Sequence, residues 1–433
     1  MSVRLVNALN ASTTVAEAFT DRATLGHMLR FEAELAHAAA GAGLIPKKHA
    51  ITIAAACDPG LYDPHDLVRV ARRSMTLTVA VVKALHAEVH TRDPEAAAYV
   101  HWVATSQDVL DTAMVLQLRD ALPPQIESLR GIVAAFAKLA KKHRTTPMMG
   151  RTLMQPATPL AFGQKVAGWA SDIDRATRRL EASYAETQIL QFGGASGSLS
   201  ALGKKAEPVM KALAKRLGLA LPPAPWFTQR VRVAALAQDV ALVTGALGKA
   251  AKDISLMMQY ELQEVAEPSG PGRGGSSTMP HKRNPVGAAL ALTAAARTAQ
   301  LAAIIVGAMP QEHERALGGW QAEWPSLAAL LEAFGSAVEG IAEVAPDLTV
   351  FSARMQKNLD ATNGAVLAER ATFLLGEKMG KDKAAVLVEK ALNKGGNFVE
   401  ALGQLTAELS DKKAMLGYSP KFVDRLLADL KRK

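Results

Sequence analysis

Apolar residues recur at three- and four-residue spacing along most of the chain, the period of helices with one buried face. The pattern predicts helices over residues 24–42 and 64–90, from 109 to 142 with an interruption or bend at Pro123 and Pro124, and over 160–184 and 230–261. Further helices are expected on both sides of Pro310 and of Pro325. Gly41-Ala42-Gly43 followed by Leu44-Ile45-Pro46 is a stop signal for the first helix. Alternating runs of β-branched residues are missing, which argues against an all-β fold. Between the helical stretches lie polar junctions at 101–108 and 150–159, a glycine-rich patch at 193–203, a proline break at 222–225 and a glycine-rich loop at 269–285. At 433 residues the chain is too long for one simple core. The expected architecture is all-α, with an N-terminal helical domain over 1–110, a central long-helix bundle over 111–350 carrying the 269–285 loop, and a C-terminal helical domain over 351–433.

Composition refines this. At 49% hydrophobic the chain is expected to fold rather than stay disordered, and at 5% aromatic its long helices need neighbours to cover their apolar stripes, so oligomerisation is expected. The most apolar stretch, 286–309, is divided by Arg297 and Gln300, and 286–296 is too short to cross a bilayer. It reads as a helix buried in a bundle or a subunit interface. The first ten residues lack a sustained apolar core and read as neither a secretion signal nor a membrane anchor. Cys57 is the only cysteine, which excludes an intrachain disulfide and a cysteine metal cluster and suits a reducing cytoplasm.

The formal net charge of +9 admits three kinds of partner: nucleic acid, a membrane surface or an anionic metabolite. The cations are interleaved with Asp and Glu, and the clusters Lys141-Lys142-His143-Arg144 and Lys431-Arg432-Lys433 read as solvated helix ends. No zinc-finger spacing, aromatic platform or dinucleotide glycine fingerprint accompanies them. The reading is therefore no nucleic acid and no membrane.

Three separated segments carry candidate chemistry. In His101-Trp102-Val103-Ala104-Thr105-Ser106-Gln107-Asp108, the Thr105 and Ser106 hydroxyls precede a helix and suit either a cap or a substrate carboxylate. His101 reads equally as a structural histidine. Gly150-Arg151-Thr152-Leu153-Met154-Gln155-Pro156-Ala157-Thr158-Pro159 alone reads as a turn before a helix. Gly274-Gly275-Ser276-Ser277-Thr278-Met279-Pro280-His281-Lys282-Arg283-Asn284-Pro285 joins flexible glycines to hydroxyls, cations and an amide. Such a loop suits closure over carboxylates, and in an anonymous chain it suits a mobile surface loop as well. Beyond it, Arg315 offers a fork for a carboxylate or for a surface ion pair, and His281 and His313 are candidate polar supports. No acidic or histidine spacing suggests a metal site.

Together these segments resemble the fumarase/aspartase superfamily. Over nearly the full length the chain resembles its cycloisomerase branch, bacterial enzymes that lactonise 3-carboxy-cis,cis-muconate in protocatechuate breakdown. The patterns Asp21-Arg22, Met28, Phe31-Glu32 and Leu44-Ile45-Pro46 belong to the same likeness, and their charged residues read as scaffold rather than chemistry. The resemblance implies that Ser276 abstracts or donates the proton at the carbon next to a carboxylate. It implies that Lys282, Asn284 and Arg315 hold carboxylates, and that His101, Thr105, Ser106, Thr152 and Gln155 line the pocket. It also implies no cofactor, a tricarboxylate substrate and a homotetramer in which three subunits contribute to each site.

Two positions depart from the pattern: Ala104 replaces the usual glycine, and Leu153 stands where many relatives place a histidine associated with protonating the departing group. An amine or hydroxide needs that proton, whereas a carboxylate, with a pKa of about 4, leaves without it. Leu153 thus favours lactonisation over an adenylosuccinate lyase-like C–N cleavage. The intact Ser276, Lys282 and Asn284 argue against a noncatalytic structural homologue.

Overall fold

Helices make up 69% of the computed structural model, and among the described residues the strands form two small two-stranded sheets. The structure describes residues 5–270, 272–275, 278–279, 281–403, 406–411 and 413–432. These divide into two compact units, one built from residues 1–126, 178–242 and 296–336 and the other from 127–177, 243–295 and 337–433.

In the first unit the helix Asp21–Gly41 starts where Thr20 caps it, its hydroxyl accepting from the Ala23 amide at 3.2 Å, and it ends at the glycine stop that the sequence announces. Its stripe of Met28, Leu29, Phe31 and Leu35 is buried, and the helix packs beside Lys47–Ala56 and Leu77–Arg92, whose Ile53 and Leu85 are buried too. Each fully buried side chain of this kind contributes roughly 1.5–3 kcal/mol. The helix expected over 64–90 is two helices, Pro64–Ala71 and Leu77–Arg92. Between them the Ser74 hydroxyl donates to the carbonyls of Ala71 and Thr76, a local bond that competes with the helical ladder, and Met75 takes φ +50°.

Pro123 and Pro124 were expected to interrupt or bend their helix; they do not interrupt it, since Ser106–Lys142 is a single 37-residue helix. Both prolines are exposed, while Leu116, Leu118, Leu122 and Leu129 around them are buried. Packing outweighs the proline penalty of about 3 kcal/mol. Pro325 likewise lies inside the helix Gly319–Val344, on an exposed position, instead of separating two helices.

In the second unit Trp169 sits edge-on to Phe136 and Phe162, and a small apolar core of Leu375, Val388, Phe398 and Leu402 joins the C-terminal helices. The 150–159 junction is part of a β-hairpin, Pro147–Thr152 paired antiparallel with Gln155–Ala161. Its register shifts between Met149 and Gly150, where a Cβ on Gly150 would stand 2.4 Å from the Thr158 carbonyl oxygen, so only glycine fits the bulge. The second small sheet pairs Val265–Ala266 with Thr349–Val350, just before the 269–285 loop.

Candidate active site

In the first unit the site is built on the N-terminus of the helix Ser106–Lys142. The Thr105 carbonyl accepts from the Asp108 amide at 3.0 Å, and the Thr105 amide donates back to the Asp108 carboxylate at 3.0 Å. The cap is thus closed by backbone and Asp108, and among the described residues neither the Thr105 nor the Ser106 hydroxyl is engaged in it. Both hydroxyls stand half-buried at a helix N-terminus, where the aligned peptide dipoles favour an anion.

Asp108 is fully buried and also accepts from the amides of Gly193 and Gly194, at 2.8 and 2.9 Å, and from Gln191 Nε2 at 3.1 Å. Burial pushes its carboxyl up to about 7, against the pull of these donors. The glycine-rich patch is thereby moored to the cap. Gly194 has φ +68°, and a Cβ there would stand 2.8 Å from the Val103 carbonyl oxygen, so a side chain would push the patch off the 101–105 segment.

Arg315 reaches the same patch. Its Nη2 donates to the Ala195 carbonyl at 3.1 Å, and its guanidinium lies 5.2 Å from the Phe227 ring centroid. Among the described residues no carboxylate pairs with it. Its charge remains uncompensated, which suits a substrate carboxylate better than the surface ion pair that its sequence context also allowed. The His313 side chain is exposed and its carbonyl accepts from the Thr228 hydroxyl at 3.0 Å.

Behind these residues Arg230, wholly buried, is gripped by Asp111 at 2.7 and 3.2 Å and by Glu323 at 2.5 to 3.1 Å. Trp320 donates to Asp111 at 3.0 Å and Gln311 to Glu323 at 2.9 Å. This network ties the helix carrying Thr105 and Ser106 to the segment carrying His313 and Arg315. His101 joins through a different carboxylate, its Nδ1 lying 2.6 Å from Oε1 of the buried Glu32.

In the second unit Thr152 and Gln155 face each other across the hairpin turn, and both are exposed. Between them Leu153 and Met154 take φ +51° and +67° and are 97% and 72% exposed. Leu153 thus stands at the tip, where it presents no proton donor. Arg151 anchors the hairpin through two bonds to the fully buried Glu264, at 2.9 and 2.6 Å, and Asn358 donates to the same carboxylate at 3.0 Å.

Three residues on, Glu267 accepts from the amides of Gly287 and Ala288 at 2.9 and 2.8 Å, which clamps the entry of the 269–285 loop to the helix Val286–Gly307 at its exit. Arg273 within the loop pairs with Glu343 and approaches Glu267 at 3.7 Å. Bridges pair Gly270 with Arg273 and Gly275 with Arg283, and the Asn284 amide donates to the Gly274 carbonyl at 2.8 Å. The side chains of His281, Lys282 and Asn284 are exposed on this stapled base, where a ligand can reach them. Ser276 lies outside the described residues.

Sequence reasoning missed the buried carboxylates that hold these parts. Asp108 had a signal, since an acid three residues after Thr105 is the spacing of a capping box. Glu32 had one too: four residues after Met28 and three after Leu29, it puts a charge on an apolar stripe. Arg151 and Glu264 are far apart in sequence and carried none.

A model of a lyase family matches residues 9–300. A 3-carboxy-cis,cis-muconate cycloisomerase from Bradyrhizobium diazoefficiens is 46% identical, covering 98% of this chain and 97% of that protein. Among solved structures, a 3-carboxy-cis,cis-muconate lactonizing enzyme from Pseudomonas putida superposes with a TM-score of 0.93 at 43% identity, covering 99% of both chains. A fumarate lyase from Mesorhizobium sp. BNC1 superposes with a TM-score of 0.86 at 33% identity, covering 96% of this chain and 98% of that one. With two thirds of its length matched by the family model and near-complete likeness to these enzymes, the chain belongs to this lyase family, the fumarase/aspartase superfamily.

Proposed function

We propose that this chain is an intramolecular lyase that converts 3-carboxy-cis,cis-muconate into 4-carboxymuconolactone, and that it acts in the cytoplasm. One observation carries the choice within the superfamily: the hairpin tip between Thr152 and Gln155 presents Leu153, 97% exposed, instead of an acid. In the reverse direction the departing group of a lactone is a carboxylate, stable as an anion near neutral pH, and needs no proton from the tip. The likeness to enzymes of that printed activity agrees.

In the forward reaction one substrate carboxylate oxygen forms a bond to the conjugated carbon system. The electron pair moves toward the carboxylate held by Lys282 and Asn284, giving an enolate-like species that their charge and hydrogen bonds stabilise. Ser276 then delivers a proton to the adjacent carbon and is reprotonated from solvent, so a trianion plus one proton becomes a dianionic lactone. Thr105, Ser106 and His101 at the helix N-terminus, Arg315, and Thr152 with Gln155 on the hairpin shape the rest of the pocket. The reaction moves no electrons between molecules and carries no group, so it calls for no organic cofactor.

We further propose a homotetramer in which different copies supply the 101–106 segment, the hairpin and the loop. The helix Val286–Gly307 supports this, since only 28% of its most apolar window is buried within the single chain. The exposed Leu153 and Met154 do so as well.

The test is to mix the purified protein with 3-carboxy-cis,cis-muconate. Loss of the diene absorbance, with product mass unchanged apart from protonation state and a lactone in the nuclear magnetic resonance spectrum, supports the assignment. An unchanged spectrum with correctly assembled protein overturns it, and adenylosuccinate becomes the next substrate.

A further inference from the structure

We propose that Glu32 is a positioning residue that holds the imidazole of His101 through Nδ1 and so presents Nε2 as a cationic donor to a substrate carboxylate. The proposal deepens the lactonisation reading and rests on it for its kinetic arm only. Glu32 sits in the apolar stripe of the helix Asp21–Gly41 and is 1% exposed. A carboxylate there costs several kcal/mol unless it is paired, roughly the penalty for any buried ion. Its Oε1 lies 2.6 Å from His101 Nδ1, whereas Oε2 is buried without a partner. His101 is therefore the one partner among the described residues that offsets this burial.

The pairing also sets the direction of the ring. An ionised carboxylate only accepts, so the proton of this bond sits on Nδ1. The His101 side chain is 19% exposed, and its Nε2 is neither buried nor hydrogen-bonded among the described residues. The backbone is fixed to match: His101 and Val103 take φ +59° and +62°, a region that side chains occupy only when their surroundings impose it.

The titratable groups facing the ring favour its charged form. Glu32 comes from one helix and Asp108 from the start of another; burial opposes the imidazolium, but these two carboxylates outweigh it and hold His101 above its ordinary value. Cys57 is another ionisable group that feels Glu32, and burial together with the Glu32 charge pushes its thiol well up, so it stays neutral; Arg92 acts on that thiol in the opposite sense. This arrangement gives the Glu32 buried on the helix stripe a role in substrate binding beyond scaffold.

The experiment compares wild type, Glu32→Gln, Glu32→Asp and His101→Asn by nitrogen-15 imidazole titration and by the pH profile of kcat/KM for 3-carboxy-cis,cis-muconate. The sign follows from the raised value: a protonated His101 is present below its pKa and lost above it, so the high-pH limb of kcat/KM moves to lower pH when Glu32 loses its charge. A shift of one pH unit is about a tenfold loss in kcat/KM at a pH above both midpoints, borne mainly by KM, with little loss at a pH below both midpoints. Glu32→Asp recovers part of the limb, and His101→Asn loses it.

A His101 midpoint that is the same in wild type and Glu32→Gln overturns the proposal, as does an unshifted kcat/KM profile. If wild type does not lactonise, the functional assignment fails alone, and the imidazole titration still decides the pairing. If Glu32→Gln does not fold, the wild-type spectrum decides it: a ring mostly doubly protonated at about pH 6.5, the ordinary histidine midpoint, supports the proposal, and a ring mostly neutral there overturns it.

Discussion

Lys282 and Asn284 are the loop residues proposed to hold a substrate carboxylate. A cation and an amide two positions apart in a glycine-rich loop suit that role, and both side chains are exposed on a base stapled by Arg273, Glu267 and the Asn284 amide. Lys282→Ala is expected to lower kcat/KM for lactonisation by about 10²–10³-fold, the usual effect of removing one preorganised donor to a developing oxyanion. Because the side chain is exposed, the melting temperature should not move. Steady-state kinetics beside thermal unfolding separates the two effects, and an unchanged kcat/KM sinks the role. The residues whose partners sequence did not disclose, Glu32, Asp108 and Glu264, are all carboxylates, and those partners lie from three to 113 positions away. A local pattern exposes the first kind of contact and is blind to the last.

The long helices were readable because an apolar stripe repeated over many turns is a redundant signal, and Asp21–Gly41, Phe162–Thr187 and Val231–Met258 fall close to their expected spans. Proline misled at 123–124 and at 325, since the rule concerns local hydrogen bonds and the outcome depended on which side of the helix faces water. The hairpin of 147–161 was missed because its strands carry Gly150, Pro156 and Pro159 and its turn lacks Asn-Gly, so neither alternation nor turn chemistry marked it. What joins the elements of the first unit is the buried Arg230 with Asp111 and Glu323. Arg230→Met leaves two carboxylates buried without their cation and is expected to destabilise the fold by about 3–5 kcal/mol. Chemical denaturation measures this; a loss under about 1 kcal/mol, the range of a surface pair, would contradict the structural weight given to the network.

For the whole molecule, the apolar helix Val286–Gly307 is the feature that a single chain leaves unresolved, with Ile304 46% and Val306 36% exposed. If copies of the chain cover this face, Ile304→Glu should shift sedimentation toward smaller species and make activity fall on dilution, while a variant that stays assembled at wild-type size speaks against that interface. The hairpin turn has a different consequence. Leu153 and Met154 occupy left-handed backbone conformations that cost roughly 1–2 kcal/mol for each side-chain-bearing residue. An Asn-Gly pair would adopt the same turn without that strain. The chain keeps two apolar side chains there instead, and if they touch the substrate the tip is a place where durability and turnover pull apart. Leu153→Asn with Met154→Gly should raise the melting temperature and slow lactonisation together, and a search for heat-resistant variants selected only on survival would drift toward a sturdier, poorer catalyst through this turn.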